Sequence, residues 1–528
     1  MMSSINRFTL TVITSTVLCD CVYSAAPLQT KPALIYNIPP RLYDSDFQAM
    51  QHDLERISGL GFNAVWLYPF MATSHGDLNF TPIMMLHGST SWVPGQFERS
   101  AYAMHDPSRI DCQSSEGSDG NPSKYGLEMQ QIKEFTAEAC RLDIAPIFDL
   151  VLHHVSRKSP LVTGTFSYFI ENSIDTNKWF REYGDPGMPD IAIFDYSNPE
   201  IALEIVNWLW APFIRKMMNC YGFTGVRIDM ATQGDVPGDI TQMCLNIVRQ
   251  CHRDPVIFAE DLLGDGRPHD QAIDPYRGVG YTHVTSNVYA LPEWAIGNKN
   301  EYEWLRHLNG EKKEMTNSGA SAYRRGVIGF AGSHDAGTTA LNCKTRANVM
   351  INPNISDSNP LLQMVKIRLA MAAFTSDAGW YLLAGDECLS DTNKSPVIDP
   401  TVADLERYLL QTEIQALMAG HDVGVSSFIR GINDVFVSLR EAPEIFWFEL
   451  FSDNPDGRGH PSNFLYFVRH IDGQQNGMAD IVVVKVSEND VAADNEETII
   501  HKLKGFGAEL LGNPSNYNVK YVNARALT

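Results

Sequence analysis

The sequence predicts an α/β protein built on a (β/α)8 TIM barrel, and two observations support this prediction. Four apolar runs each end in an acidic residue: Ile144 to Asp149, Phe223 to Asp229, Val256 to Glu260 and Val327 to Asp335. The acids follow one another at 80, 31 and 75 residues, which fits strand–helix–strand repeats of roughly 30 residues with insertions. Acids at the carboxyl ends of successive parallel strands are the arrangement such a barrel uses for a functional site.

The barrel is expected to take residues 26–425. A loop-rich stretch at 71–125 follows the second strand, and a short inserted domain at 155–198 follows strand 3. A loop as long as the first is usually functional in a compact domain.

The two ends of the chain differ from the barrel in pattern. In residues 1–25 Arg7 precedes a mostly apolar run and a small-residue cleavage pattern, which favours an export signal over a disordered extension. From residue 426 onwards, β-rich runs such as Val435 to Leu439 alternate with turn residues. This pattern predicts an all-β C-terminal sandwich domain at 426–528.

Composition and charge restrict the classes of partner. The chain has 528 residues, is 44% hydrophobic and carries a formal net charge of -22. This charge argues against nucleic acid or an anionic membrane as a partner, and no membrane-spanning segment is predicted beyond the N-terminal signal. Neither CxxC nor HExxH occurs, so no zinc site is expected.

The stretch from Gly222 to Asp229 shows what one strand end presents. Period-two alternation places Arg227 and Asp229 on the same face of a strand. A neighbouring cation lowers the pKa of an acid and keeps it ionised, as a nucleophile at a sugar carbon requires. A strand-end salt bridge is the alternative, and this stretch alone leaves both interpretations open.

The four runs resemble, in the same order, four characteristic segments of the α-amylase family of glycoside hydrolases. The matching segments are Asp149-Leu-Val-Leu-His-His154, Phe223 to Asp229, Glu260 with the run before it, and Ser333-His334-Asp335. The resemblance covers roughly residues 33–420 and implies the barrel fold.

This resemblance implies three catalytic residues. Asp229 would attack the anomeric carbon, Glu260 would act as acid and then as base, and Asp335 would hold the sugar's hydroxyl groups. The expected outcome is retention of configuration, with the carboxyls of Asp229 and Glu260 about 5–5.5 Å apart.

The resemblance also implies a set of substrate-binding residues: Tyr102, Asp149, His154, Arg227 and His334. Tyr102 is similar to a tyrosine that stacks under the sugar at the cleavage point. A buried loop anchor is the alternative role for this side chain.

Two departures concern calcium, which the family commonly binds. His153 stands where the family usually has a calcium-binding asparagine, and Met230-Ala-Thr-Gln233 lacks the histidine that usually follows the second segment. No metal or other cofactor is therefore predicted, with calcium as the alternative. Joint ligation by His153 and His154 is not expected, because adjacent residues of an extended chain point in opposite directions.

The expected function is retaining hydrolysis of α-1,4-linked glucans or maltooligosaccharides. A transglycosylase of the same family is the main alternative, because the same three acids serve both reactions. A carbohydrate-binding relative without catalysis is a further one. The N-terminal signal predicts a secreted or periplasmic protein, with the cytoplasm as the alternative, and the oligomeric state stays open.

Overall fold

Eight parallel strands form the closed barrel that the sequence predicts. The computed structural model describes residues 32–43, 46–73, 101–110, 122–181, 191–231, 235–260, 278–285, 326–333, 338–340, 343, 360–374, 376, 378–389, 412–421, 425–439, 444–452, 460–470, 479–486 and 517–522. The predicted signal at 1–25 lies outside these residues. Among those described, no helix is long and apolar enough to span a membrane.

The strands, numbered along the chain, neighbour one another round the barrel in sequence order. They are β1 (Ala33–Ile38), β2 (Ala64–Leu67), β5 (Ala145–Leu150), β8 (Gly225–Ile228), β9 (Val256–Ala259), β10 (His283–Thr285), β11 (Val327–Phe330) and β12 (Gly379–Leu383), and β12 pairs with β1. All eight pairings are parallel, so the carboxyl ends of the strands meet at one rim. The predicted barrel is confirmed.

The described helices include α1 (Phe47–Gly59), α2 (Pro122–Arg141), α3 (Ser167–Glu171), α4 (Pro199–Ile205), α5 (Ala211–Arg215), α6 (Gly238–Cys251), α7 (Pro360–Phe374) and α8 (Ser426–Ser438). The N-cap of α1 is Asp46, whose side chain accepts from the Gln48 amide at 2.9 Å. A π-helical turn, Val206–Trp210, joins α4 to α5 just before Pro212. Proline has no amide hydrogen to donate, and the wider turn accommodates it without ending the helix.

Both insertions, one after β2 and one after β5, include a short antiparallel sheet. In the long loop after β2, β3 (Met71–Thr73) pairs with β4 (Met104–Ile110). After β5, β6 (His154–Ser156) pairs with β7 (Ile191–Ile193), and this pair braces the segment that follows Asp149. The identity of 155–198 as a separate domain stays a prediction.

The C-terminal part contains a four-stranded sheet. Its strands are β13 (Glu444–Ser452), β14 (His460–His470), β15 (Ala479–Lys485) and β16 (Tyr517–Val522), paired in that order. The first two pairings are antiparallel, and β15 pairs with β16 in parallel. The described strands agree with a β-rich domain, and its second sheet stays a prediction.

The predicted strand at Val435 to Leu439 is wrong, because residues 426–438 form α8. The buried side chains of α8 recur at helical spacing: Phe428, Ile429, Ile432, Asn433, Val435 and Phe436. This helix packs on the barrel, where the side chain of Asn433 donates to Leu60 O at 2.9 Å and accepts from Trp380 Nε1 at 2.8 Å. The boundary between the two domains at 425 stays a prediction.

Candidate active site

Arg227 lies near the carboxyl end of β8, and three carboxylates contact its guanidinium group. Its side chain is 1% exposed, and Nη1 donates to both oxygens of Asp149 at 3.0 Å and to Asp229 Oδ1 at 2.7 Å. The other terminal nitrogen, Nη2, pairs with Glu260 Oε1. Burial alone lowers the pKa of Arg227, but Asp149 and Glu260 outweigh burial and raise that pKa well above its ordinary value. One permanent cation thus holds three acids together.

Strand register explains why these residues meet. Arg227 on β8 lies opposite Asp149 on β5 and opposite Phe258 on β9. The ladders continue one residue past the strand ends, where Asp229 N donates to Leu150 O and Glu260 N donates to Ile228 O, both at 3.1 Å.

Gly225 allows β8 and β9 to lie this close together. A Cβ atom at this position would lie 2.7 Å from the carbonyl oxygen of Val256. The first residue of β8 therefore has to be small if the two acids are to sit on neighbouring strand ends.

Asp149 is the most enclosed of the three acids. Its side chain is 0% exposed, and Oδ2 also accepts from Trp66 Nε1 at 3.2 Å and from Tyr102 OH at 3.1 Å. Burial raises the pKa of Asp149 to about 6 even though Arg227 lowers it. Because these groups and Arg227 enclose the side chain, we infer that Asp149 orients Arg227, and its predicted contact with substrate stays a prediction.

The aromatic rings of Tyr102 and Trp66 both lie close to the guanidinium group of Arg227. The guanidinium carbon of Arg227 lies 5.5 Å from the centre of the Tyr102 ring and 5.1 Å from that of Trp66. Tyr102 is 6% exposed, and its hydroxyl group contacts Asp149, so it anchors the loop to the site. Its role as a sugar platform stays a prediction.

Sequence reasoning did not identify Trp66 or Met230 as part of this site. Trp66 lies in an apolar strand, where nothing in the sequence distinguishes an inward side chain that meets a carboxylate. Met230 has a backbone φ of 50°, and its amide donates to Glu260 Oε2 at 2.9 Å. A left-handed methionine directly after Asp229 is unusual, and here it aims a backbone donor at the second acid.

The two histidines that follow β5 contact each other, so the expectation that they point apart is wrong. Nδ1 of His153 lies 3.0 Å from Nδ1 of His154, because the chain bends at His153 before β6 begins. His153 Nε2 lies 3.2 Å from Asp235 Oδ2, and Arg181 Nη1 lies 2.9 Å from Asp235 Oδ1. Burial and His153 lower the pKa of His154 to about 3.

The described residues around His153 do not fit a calcium ion. Calcium prefers six to eight oxygen ligands, whereas His153 offers ring nitrogens that already face Asp235 and His154. The guanidinium group of Arg181 binds the nearest carboxylate, that of Asp235. Across the described ranges, no group of three or more His, Cys, Asp or Glu side chains is arranged to bind a metal.

His334 and Asp335 lie outside the described residues, so their places in the site stay predictions. Ser333 is described and is 1% exposed, three residues past the end of β11. Of the predicted set, the structure brings together Arg227, Asp149, Asp229, Glu260 and Tyr102. His154 follows Asp149 by five residues and begins β6.

Comparisons with known proteins agree with this fold. No family model matches the sequence. A beta/alpha-amylase from Paenibacillus polymyxa is 24% identical over 201 residues, which is 35% of this chain and 14% of that protein. The match therefore spans only a small part of that relative's length.

Solved structures match over most of the chain. An alpha-amylase from Lactobacillus plantarum is 17% identical, covers 86% of this chain and 88% of its own, and has a TM-score of 0.53. An alpha-amylase from Geobacillus thermoleovorans, complexed with acarbose, is 16% identical, covers 86% of both chains and has a TM-score of 0.53. A maltogenic alpha-amylase from Thermotoga neapolitana is 18% identical, covers 83% of this chain and 86% of its own, and has a TM-score of 0.51. The chain therefore has the fold of the α-amylase family of glycoside hydrolases, as its sequence motifs predict.

Proposed function

We propose that this protein hydrolyses α-glucosidic bonds in α-1,4-linked glucans or maltooligosaccharides, with retention of configuration. One observation carries the proposal: Asp229 and Glu260 follow adjacent strands of the barrel and contact the same buried guanidinium group. Retaining glycosidases need two carboxyl groups close enough to flank one glycosidic bond. The shared contact with Arg227 supports that proximity.

The residue roles follow from this arrangement. Asp229 attacks the anomeric carbon while Glu260 gives its proton to the departing glycosidic oxygen, which leaves a covalent glycosyl-enzyme. Glu260 then takes a proton from water, whose oxygen attacks the same carbon and releases Asp229. Asp335, by resemblance, holds the hydroxyl groups of the reacting sugar.

Arg227 supports this chemistry by its charge. A guanidinium 2.7 Å from Asp229 favours the ionised carboxylate that a nucleophile needs. The bond is charge-assisted and buried, so water weakens it little.

The substrate class is supported by the fold's neighbours. The similar alpha-amylase from Geobacillus thermoleovorans was solved with acarbose, and a further neighbour was solved with maltose. These ligands belong to those proteins, and we propose that this chain takes substrates of the same class.

The test is product analysis of the purified protein on maltoheptaose, with Asp229→Asn as the comparison. We expect shorter maltooligosaccharides from the wild type and a rate lower by about 10⁴-fold or more in the variant. An Asp434→Asn variant is the matched control, because Asp434 lies on α8 with a side chain that is 67% exposed.

Other outcomes would change the proposal. Products longer than maltoheptaose would indicate a transglycosylase. An unchanged rate in Asp229→Asn would exclude the assigned nucleophile, and a wild type inactive on maltoheptaose, sucrose and trehalose would favour a binding protein.

A further inference from the structure

His154 has a buried polar atom without a partner among the described residues, its ring nitrogen Nε2. The residue is 3% exposed, and its lowered pKa keeps the ring neutral near pH 7. A neutral imidazole has one donor and one acceptor nitrogen. Because an unsatisfied buried polar atom destabilises the folded state, Nε2 is the atom that awaits a ligand.

The other nitrogen of His154 begins a chain of hydrogen bonds that runs through His153 to Asp235. Its Nδ1 lies 3.0 Å from Nδ1 of His153, so one of these two atoms donates and the other accepts. Nε2 of His153 lies 3.2 Å from Asp235 Oδ2, in the segment between β8 and α6. Arg181, within the inserted segment, donates to Asp235 Oδ1 at 2.9 Å.

The charge of Asp235 sets the direction of this chain. Partial burial raises the pKa of Asp235, but hydrogen bonds from Arg181 and His153 outweigh it and lower the pKa overall. An ionised carboxylate only accepts hydrogen bonds, so Nε2 of His153 must carry a hydrogen. When His153 is neutral, its Nδ1 is then an acceptor, and His154 donates to it from Nδ1. A protonated His153 would donate from both nitrogens, so this order holds above the pH at which His153 loses its proton. This leaves Nε2 of His154 as an acceptor.

We propose that Asp235, held by Arg181, is a positioning residue that acts through His153 to fix which nitrogen of His154 carries its hydrogen. In this arrangement Nε2 of His154 accepts a hydrogen bond from a hydroxyl group of the bound sugar. The identity of that ligand rests on the proposed function, whereas the order of the hydrogen bonds does not. Asp235, Arg181 and His153 form the surroundings that do not fit a calcium ion. There the guanidinium group of Arg181, and not a metal ion, neutralises the charge of Asp235.

A double-mutant cycle tests the effect on substrate. We expect Asp235→Asn to lower kcat/KM for maltoheptaose by roughly 10-fold, because an asparagine can donate or accept and no longer fixes the order. In a His154→Ala background the same change should lower kcat/KM by less than about two-fold, since the side chain through which Asp235 acts is then absent. Asp434→Asn is the charge-matched control and should leave kcat/KM unchanged.

Two kinetic results would overturn the proposal. One is an Asp235→Asn enzyme within two-fold of the wild type. The other is a cost that is equal in the presence and absence of His154, which would show that Asp235 acts by a different route. Thermal unfolding of each variant separates a loss of folded protein from a change in the site.

A spectroscopic measurement tests the relay without using activity. In protein labelled with ¹⁵N-histidine at pH 8, well above the ordinary histidine pKa of about 6.5, long-range ¹H–¹⁵N correlations report which ring nitrogen carries hydrogen. His154→Ala identifies the signals of His154, which should show a protonated Nδ1 in the wild type and a mixture in Asp235→Asn. Identical signals in both proteins would refute the relay.

The two experiments separate this proposal from the proposed function. If the wild type cleaves no α-glucan but the His154 signals change as expected, the relay stands and the function fails. If Asp229→Asn abolishes hydrolysis while Asp235→Asn changes neither rate nor spectrum, the function stands and the relay fails.

Discussion

Replacing Arg227 by methionine should destabilise the protein strongly, because it removes the cation that three buried carboxylates share. Arg227→Met keeps an unbranched side chain of similar reach but leaves Asp149, Asp229 and Glu260 facing one another. Removing one partner of a buried ion pair typically costs about 3–5 kcal/mol. With a urea dependence of about 3 kcal/mol per molar, the midpoint of unfolding should fall by about 1 M or more.

The destabilisation should depend on pH. Without Arg227, burial and mutual repulsion raise the pKa values of the carboxyls in the folded state above those in the unfolded state. The folded variant then binds more protons than the unfolded variant, so its stability falls as the pH rises. The deficit relative to the wild type should therefore be larger at pH 7.5 than at pH 5.5.

The assay is urea unfolding followed by tryptophan fluorescence at both pH values, together with initial rates on maltoheptaose. We expect kcat/KM to fall by about 100- to 1000-fold, as when one fixed charge is removed from the place where charge develops. Arg430→Met is the control, because Arg430 is 46% exposed on α8. A deficit below about 1 kcal/mol, or the same deficit at both pH values, would refute the argument that Arg227 neutralises buried carboxylates.

Four further changes test other parts of the structure. Asp149→Asn removes a carboxyl whose folded pKa of about 6 lies above its ordinary 3.8. That carboxyl group contributes its full stabilisation below about pH 4 and loses it as the pH rises through 6. The unfolding temperature of the variant, measured relative to that of the wild type, should therefore rise between pH 5 and 7.5. Trp66→Phe keeps an aromatic ring, although a smaller one, but removes the donor to Asp149, and steady-state kinetics should show a loss in kcat/KM of about five-fold. Asn433→Ala leaves Leu60 O and Trp380 Nε1 without this partner, and scanning calorimetry should show a loss of about 2–4 kcal/mol. EDTA should not shift the unfolding temperature, whereas removal of an ion held at 100 times its Kd would cost about 2.7 kcal/mol.

The strand ends were predictable from sequence because each combines an apolar run with one acid in a fixed order. The barrel then places Asp149, Arg227 and the acids that follow β8 and β9 at one rim without further information. Their contacts depend only on register, which parallel pairing of neighbouring repeats fixes. This is why residues that the sequence singles out lie together in the structure, while their catalytic roles stay predictions.

Contacts between segments distant in sequence were not predictable in the same way. Asp235 lies 82 residues from His153, and no local pattern links them. Residues Val435 to Leu439 are rich in β-branched and apolar side chains, yet the helical spacing of Phe428, Ile432 and Phe436 determines the structure. A prediction from a short stretch of sequence reflects local propensity. The helix forms instead because it buries a full apolar face.

The unequal exposure of the three acids around Arg227 divides their roles. One guanidinium cannot neutralise three buried carboxylates, so the group titrates as a coupled set in which protons are shared. Asp149 is enclosed, with a side chain that is 0% exposed, whereas the side chains of Asp229 and Glu260 are 6% and 8% exposed. The side chains of the latter two therefore retain a small exposed edge. We therefore expect Asp149 to serve as the counter-ion that holds Arg227 in place, and we expect the proposed chemistry to fall to Asp229 and Glu260, which follow β8 and β9.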